Sequence, residues 1–211
     1  MVYQNGDTIE NICTTVLLPS GKGNISPERG RFHNALLNDR RIVYTYAPVH
    51  KIFEDGRWYY SLFIHNLKTL EKVEMKTPYT PVVIPDSVIY KVDEYAQLII
   101  DDKSFPESLR KKTEESIKER IKRLKEMKYY SAVKGLFTDG DVIFVFTYEF
   151  NENNEQVVDV IDSRTRERLS SAYFPFIPII IKNGYTYRIA KNEEGFYVIE
   201  KHRIDPAVYG K

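Results

Sequence analysis

The strongest constraint on the fold is an internal repeat on either side of one long helical pattern. Three landmarks recur in the same order at offsets of about 96–100 residues: 36–46 with 136–146, 64–69 with 160–165, and 81–91 with 178–188. Three separate matches are hard to attribute to shared composition. We therefore expect two copies of a β-rich unit, at about 34–100 and 134–205. Repeated β units are typical of propellers, solenoids or duplicated sandwiches.

Residue usage favours strands outside the helical pattern. The chain contains 16 Tyr and 11 Phe, and aromatic and β-branched residues suit pleated, half-buried surfaces. Runs of this kind predict strands at 42–46, 58–64 and 72–76, with further strands at 87–92 and 96–100. A mainly β protein follows.

The stretch 104–128 predicts the one long helix. Ser104 and Glu107 have the spacing of a capping box, and Pro106 would sit in the first turn. A narrow apolar stripe recurs at helical spacing: Phe105, Leu109, Ile117, Ile121 and Leu124. Because the remaining positions are largely charged, we expect this stripe to be buried against β-structure or a partner chain.

The charge balance narrows the function classes. There are 31 basic and 30 acidic residues, a formal net charge of +1, whereas a dedicated nucleic-acid binder normally has a net basic surface. The basic run Lys118–Lys128 leaves a nucleic-acid contact open as a weaker hypothesis, but interleaved glutamates favour a solvated face. We expect no nucleic-acid partner.

The absence of targeting and membrane-spanning patterns limits the predicted location of the protein. No apolar run approaches the length of a membrane span, and we expect no membrane partner. No signal peptide is visible, which predicts a cytoplasmic protein, or a periplasmic or extracellular one if Met1 is not the natural start. The single cysteine, Cys13, allows no internal disulfide.

Strand and turn patterns carry a resemblance to a known family. They are most evident in KGLFTDGDVIFVFTY (134–148), VVDVIDSRTRERLSSAYFPF (157–176) and the segment 178–205, and more loosely in NDRRIVYTYAPVHKI (38–52). Over residues 31–205 the chain resembles the bacterial six-bladed β-propeller family, a relative of the NHL and YWTD propellers. The match is to the C-terminal half of such a protein.

The resemblance implies a specific fold. It predicts a partial β-propeller of about three four-stranded antiparallel blades, with 1–211 as one domain and the 104–128 helix as an insertion between blades. Half a ring would leave sheet edges and an inner face uncovered, which natural proteins avoid. A homodimer that closes the ring is therefore one hypothesis, and a chain that is part of a longer propeller is the other.

Polar residues provide no catalytic signature. Asp39, Asp139 and Asp141 lie at predicted turns, where carboxylates usually accept bonds from backbone N–H groups. Some propellers resemble calcium-dependent lactonases, but that ligand set has no counterpart here residue by residue. Four histidines lie far apart, without metal-ligand spacing: His33, His50, His65 and His202. We predict no catalytic residue, metal or cofactor.

Crowded aromatic residues are the candidate binding surface. Six of them form the predicted ligand or partner surface: Trp58, Tyr60, Tyr129, Tyr130, Phe174 and Phe176. Tyr and Trp are enriched at interfaces, although ordinary packing between blades is the simpler interpretation. Two functions remain open: a non-enzymatic binding or scaffold module that binds a protein, itself or a small ligand, and a propeller-type hydrolase or lyase with a channel-face, possibly metal-dependent site.

Overall fold

A computed structural model of the chain describes residues 2–5, 8–11, 32–46 and 51–210. In the part of the chain that it describes, strands make up most of the regular structure, and the sheets are antiparallel. The prediction of a mainly β protein is therefore confirmed. Two residues discussed above, Cys13 and His50, lie outside the described residues.

The chain divides into two compact units. One contains the described residues up to Thr80 and from Ser131 onward, and the other is Pro81–Tyr130. The first unit holds the sheets and the second holds the helices. A short antiparallel pair, β1 (Val2–Asn5) and β2 (Thr8–Asn11), precedes the larger sheets.

The first large sheet has five strands: β3 (Phe32–Leu36), β4 (Arg41–Tyr46), β5 (Lys51–Glu54), β6 (Arg57–Asn66) and β7 (Lys72–Tyr79). The strand β6 is long enough to pair with both β4 and β5, using different segments, while it also pairs with β7. The strand β7 pairs with β6 along the segments that pair with β4 and with β5. The strands β4 and β5 therefore lie one after the other along the opposite edge of β6. The sheet therefore has the layout of a four-stranded meander whose second strand is in two pieces.

Two further sheets follow the helical unit. The second sheet pairs its strands in chain order: β8 (Gly135–Asp139), β9 (Val142–Phe150), β10 (Gln156–Asp162) and β11 (Arg168–Phe174). The third sheet is smaller: β12 (Ile180–Lys182), β13 (Tyr185–Lys191) and β14 (Tyr197–Arg203), followed by a 3-10 helix at Pro206–Tyr209. Each strand-to-strand connection within these two sheets is short, as meanders require.

The second sheet is apolar on both faces, so it is covered on both sides. Successive side chains of a strand point to opposite faces. Ile143 and Val145 therefore pack into one cluster with the first sheet, which contributes Val43, Leu62 and Ile64. Phe144 and Phe146 pack into another cluster, which includes two residues from the third sheet and just after it, Ile181 and Ile204. The sheets stack face to face in the order first, second, third.

Two turns of the repeat have the same hydrogen bonds. The side chain of Asn66 accepts from the backbone N–H groups of Lys68 and Thr69. The side chain of Asp162 accepts from Arg164 and Thr165 in the same way. Each turn also places one residue in the left-handed region, at φ 63° and 66°. These bonds support the predicted correspondence of 64–69 with 160–165.

The correspondence of 81–91 with 178–188 does not extend to structure. The later segment holds β12 and the start of β13, whereas the earlier one holds the helix α1 (Asp86–Ile89). The predicted strands at 87–92 and 96–100 are therefore both incorrect, since α1 covers the start of the first and α2 spans Glu94–Asp101. Asp93 caps α2 by accepting from the N–H groups of Tyr95 and Ala96. The apolar run at 96–100 is too short for its spacing to distinguish a helix from a strand, and the N-cap at Asp93 decides in favour of the helix.

The long helix is confirmed as α3 (Glu107–Met127), with two corrections. Pro106 occupies the N-cap position without a side-chain cap bond, so the Ser104–Glu107 capping box does not form. The expected burial of the apolar stripe holds only in part: Leu124 and Ile121 pack with Ile84 and Ile89 inside the same unit, not against a sheet, and Leu109 is exposed. None of the described helices is both long and apolar enough to cross a membrane.

A buried polar group joins the first and second sheets. The hydroxyl of fully buried Tyr60 donates to Oδ2 of Asp159 at 2.9 Å, and Arg168 forms an ion pair with Oδ1. Burial raises the pKa of Asp159 while Arg168 opposes that shift, and burial together with Asp159 raises the pKa of Tyr60 well above its ordinary value. A buried carboxylate of this kind is costly unless its acceptors are used.

Replacing Tyr60 by Phe should therefore lower the free energy of unfolding by about 2 kcal/mol, because Asp159 loses a donor and stays buried. Urea denaturation measures this change. The matched control is Tyr79→Phe: its ring lies 6.0 Å from the Tyr60 ring, and its hydroxyl has no hydrogen bond to any described residue. An equal effect of both variants would contradict the assignment.

Candidate functional site

Turns from the three sheets lie side by side at one end of the stack. They join β3 to β4, β8 to β9, and β12 to β13, and β8 is adjacent to both β3 and β12. The backbone N–H of Asn38 donates to the carbonyl of Gly140 at 3.3 Å. The hydroxyl of Thr138 donates to the carbonyl of Leu36 at 2.6 Å. Each turn is thus positioned by its neighbour in the next sheet.

Asp139 links the second sheet to the third. Its carboxylate accepts from the backbone N–H groups of Asn183 and Gly184 at 2.8 and 2.7 Å, and from the Tyr209 hydroxyl at 2.8 Å. Asn183 and Gly184 have φ of 54° and 75°, the left-handed conformation of a two-residue hairpin turn. Burial and Asp139 together raise the pKa of Tyr209. The expected bonds from backbone N–H groups are present, but the donors lie in the turn of the third sheet and not near Asp139 in the chain.

Asp141 holds two arginines between the first and second sheets. Arg41 donates from Nη2 to its Oδ1 at 2.5 Å and from Nη1 to the Ser163 carbonyl at 3.2 Å. Arg164 forms a second ion pair with Asp141 at 2.7 Å and contacts exposed Asp39 at 3.5 Å. Both predicted carboxylates, Asp39 and Asp141, therefore have arginine partners.

Clefts open around these turns. One of about 670 Å³ lies between the second and third sheets and is lined by Asp139, Asp162, Tyr185 and Arg203 among others. Another, of about 820 Å³, follows the neighbouring strands β3, β8 and β12. Both are large enough for a small ligand. The carboxylates at their rims already accept bonds, so the geometry favours holding sheets together over acid–base work.

The histidines are dispersed. His33 lies on β3, His65 on β6 and His202 on β14, where His202 is 3.1 Å from Glu200. His65 is buried, and its ring nitrogens have no hydrogen-bond partner among the residues described. Within that part of the chain, no group of three or more His, Cys, Asp or Glu side chains could hold a metal ion.

The six predicted aromatic residues do not form one surface. Tyr60 and Phe174 are buried in different clusters, on opposite sides of the second sheet. Tyr129 and Tyr130 belong to the helical unit. Two members remain partly exposed in the sheet unit, Trp58 and Phe176. Packing between sheets therefore accounts for Tyr60 and Phe174, because both faces of the second sheet are buried and large side chains fill the space there.

The rings of Trp58 and Phe176 have different surroundings. Trp58 lies 5.0 Å from the Phe53 ring. Phe176 lies between the His202 ring, at 5.0 Å, and the Arg188 guanidinium, at 4.5 Å. Their role in ligand binding stays a prediction.

The polar residues that organise the turn end were not singled out from the sequence. They are Arg41, Ser163 through its carbonyl, Arg164 and Tyr209. The matching turns at Asn66 and Asp162 could have drawn attention to residues that differ between the copies. The contacts of Arg41 join positions 100 and 122 residues apart, however, and sequence spacing alone does not reveal such partners.

Replacing Asp139 by Asn should destabilise the protein by about 2 kcal/mol, because an amide offers one acceptor oxygen to three donors and turns its NH₂ group toward them. The N–H groups of Asn183 and Gly184 should also exchange faster with deuterium. Asp39→Asn is the matched control, since Asp39 is exposed and its ion pair is weak. Unchanged exchange in Asp139→Asn would contradict the role given to this carboxylate.

Comparisons with known proteins leave the family open. No family model matches the chain, no curated protein is similar to it, and no solved structure resembles it.

Proposed function

We propose that the chain is a non-enzymatic binding and scaffold module of the partial β-propeller type, and that it binds a second copy of itself. The stacking order supports this proposal. Each sheet covers the next face to face, and the inner strands β3, β8 and β12 are neighbours, as innermost strands of adjacent propeller blades are.

The observation that carries the proposal is the uncovered face of the third sheet. Ile189 pairs with Ile199, and Lys191 pairs with Tyr197, on the face opposite buried Ile181 and Thr186. Ile189, Tyr197 and Ile199 are 56%, 74% and 71% exposed. An apolar sheet face of this kind, with large residues exposed together, marks an interaction surface.

The opposite end of the stack is the proposed counterpart. There the outward face of the first sheet carries an apolar cluster of Ile42, Tyr44 and Leu67, which are already buried at 5%, 2% and 9% exposure. A second copy would therefore contact this face through the half-buried rings of Phe32 and Phe63 beside the cluster. Packing the third sheet of one copy on this face would continue the two junctions that already exist within the chain. Two copies joined head to tail in this way would close a ring through two identical contacts.

The alternative, a propeller-type hydrolase or lyase, stays a prediction. The carboxylates of Asp139 and Asp141, which both line the cleft of about 670 Å³, are engaged by backbone N–H groups, a phenol and two arginines. A nucleic-acid contact through Lys118–Lys128 also stays a prediction.

Replacing Tyr197 by Asp should weaken self-association about 100-fold or more, because the contact would lose the apolar ring and would have to take a carboxylate out of water, even one that lies opposite Lys191. Sedimentation velocity at fixed concentration measures the species present. The matched control is Tyr173→Asp, since Tyr173 is also an exposed strand tyrosine, 56% exposed, but lies on the second sheet. We expect the control to associate like the wild type. A Tyr197→Asp protein that associates as well as the control would contradict the proposed surface.

A further inference from the structure

A small polar cleft lies at the junction of the first and second sheets, apart from the uncovered face of the third sheet. Its volume is about 140 Å³, far below the 300 Å³ or more of a typical site for a drug-sized molecule. Three arginines and one serine are among its lining residues: Arg41, Arg164, Arg166 and Ser163. A space of this size admits one compact polar group.

The guanidinium of Arg41 is held in place by hydrogen bonds that use only some of its N–H donors. It donates from Nε to the Asn38 carbonyl at 3.4 Å, from Nη1 to the Ser163 carbonyl and from Nη2 to Asp141. Because a guanidinium has five N–H donors, two remain for a ligand. A fixed, partly used arginine is a ready recognition group for an anion.

Arg166 and Ser163 are the unused groups of the cleft. Arg166 has no ion pair with any described residue, including Glu71, the one carboxylate that lines the cleft. Ser163 is only 4% exposed, and its hydroxyl has no hydrogen-bond partner in the described part of the chain. A buried hydroxyl without a partner is uncommon and calls for an explanation.

The equivalent turn of the first copy shows that folding does not require these residues. That turn has the same backbone and side-chain hydrogen bonds. It carries Leu67 where the second copy has Ser163, and Leu70 where the second copy has Arg166. Leu70 and Arg166 share the same left-handed conformation, at φ 63° and 66°. The polar pair is therefore an addition to the turn, not a condition for it.

We propose that this cleft binds one tetrahedral oxyanion, either free phosphate or the phosphate group of a monoester. The spare donors of Arg41, the guanidinium of Arg166 and the hydroxyl of Ser163, after rotation about its Cα–Cβ bond, would together bind its oxygens. Asp141 does not oppose the ligand strongly, because its charge is already shared by Arg41 and Arg164. The carboxylate of Glu71 repels an anion, so the cleft favours a ligand that is small enough to bind beside the arginines and away from Glu71.

The test titrates inorganic phosphate against the purified protein at constant ionic strength, maintained with chloride, and measures affinity by calorimetry and by the shift in unfolding temperature. Sulfate should compete with phosphate, and acetate should not. Phenyl phosphate distinguishes the two sources: binding at least as tight as that of phosphate indicates a monoester, and weaker binding indicates the free ion. No binding beyond the chloride effect overturns the proposal.

Three variants locate the site. Arg166→Leu, which introduces the residue of the equivalent turn, and Ser163→Ala should each weaken phosphate binding about tenfold. Ser163→Ala should not lower the unfolding temperature without phosphate, because it removes a hydroxyl that has no partner. Lys68→Leu, the charge-removing control at the equivalent turn, should bind like the wild type. Equal affinity in all three variants would mean that phosphate binds elsewhere and would overturn the proposal.

This inference does not depend on self-association. The cleft lies within one chain, so the phosphate titration can be repeated on Tyr197→Asp. Unchanged affinity there is expected, and a loss of affinity in step with dissociation would contradict a site made by a single copy.

Discussion

The structure depends on the need of each sheet to cover two apolar faces. A strand such as β9 places Ile143 and Val145 on one side and Phe144 and Phe146 on the other, and all four are fully buried. Burying a side chain of this size contributes roughly 1.5–3 kcal/mol. Neither face of the second sheet could remain in water without losing that stabilisation. Stacking one sheet on either side satisfies both faces.

The same constraint explains the ends of the stack. The third sheet buries Ile181 and Thr186 on its inner side and leaves Ile189, Tyr197 and Ile199 exposed on its outer side. Lysines moderate that exposure, since Lys191 and Lys201 lie over tyrosine rings, with Lys201 Nζ 3.8 Å from the Tyr185 centroid. Cation–π contacts shield an apolar surface from water only in part. The proposed association follows from this incomplete cover.

Polar contacts then fix how the sheets are placed. Asp159 accepts from Tyr60 across the first junction, and Asp139 accepts from the turn of the third sheet across the second. Apolar contact is non-directional, whereas a buried carboxylate needs its donors in a few defined positions. The small polar cleft beside Asp141 results from this placement of the first and second sheets. Ser163 and Arg166 line it, and because their turn folds without them, they are available to bind a ligand there.

Much of the local structure could be predicted from the sequence. Runs of β-branched and aromatic residues indicated the strands around 42–46 and 58–64, and the matching turns at Asn66 and Asp162 share their hydrogen bonds. The helices at Asp86–Ile89 and Glu94–Asp101 could not be recognised as easily, because short apolar runs fit either period. The partners of Asp159 and Arg41 are distant in sequence, so only the stacking of the sheets brings them together.

The most direct test of the central claim is the mass of the wild-type protein in solution, measured by sedimentation equilibrium over a wide concentration range. A head-to-tail contact that closes on itself predicts a plateau at twice the 24.8 kDa of one chain. A mass of one chain at every concentration would contradict association through the uncovered sheet face. A mass that rises without a plateau would contradict closure with two copies.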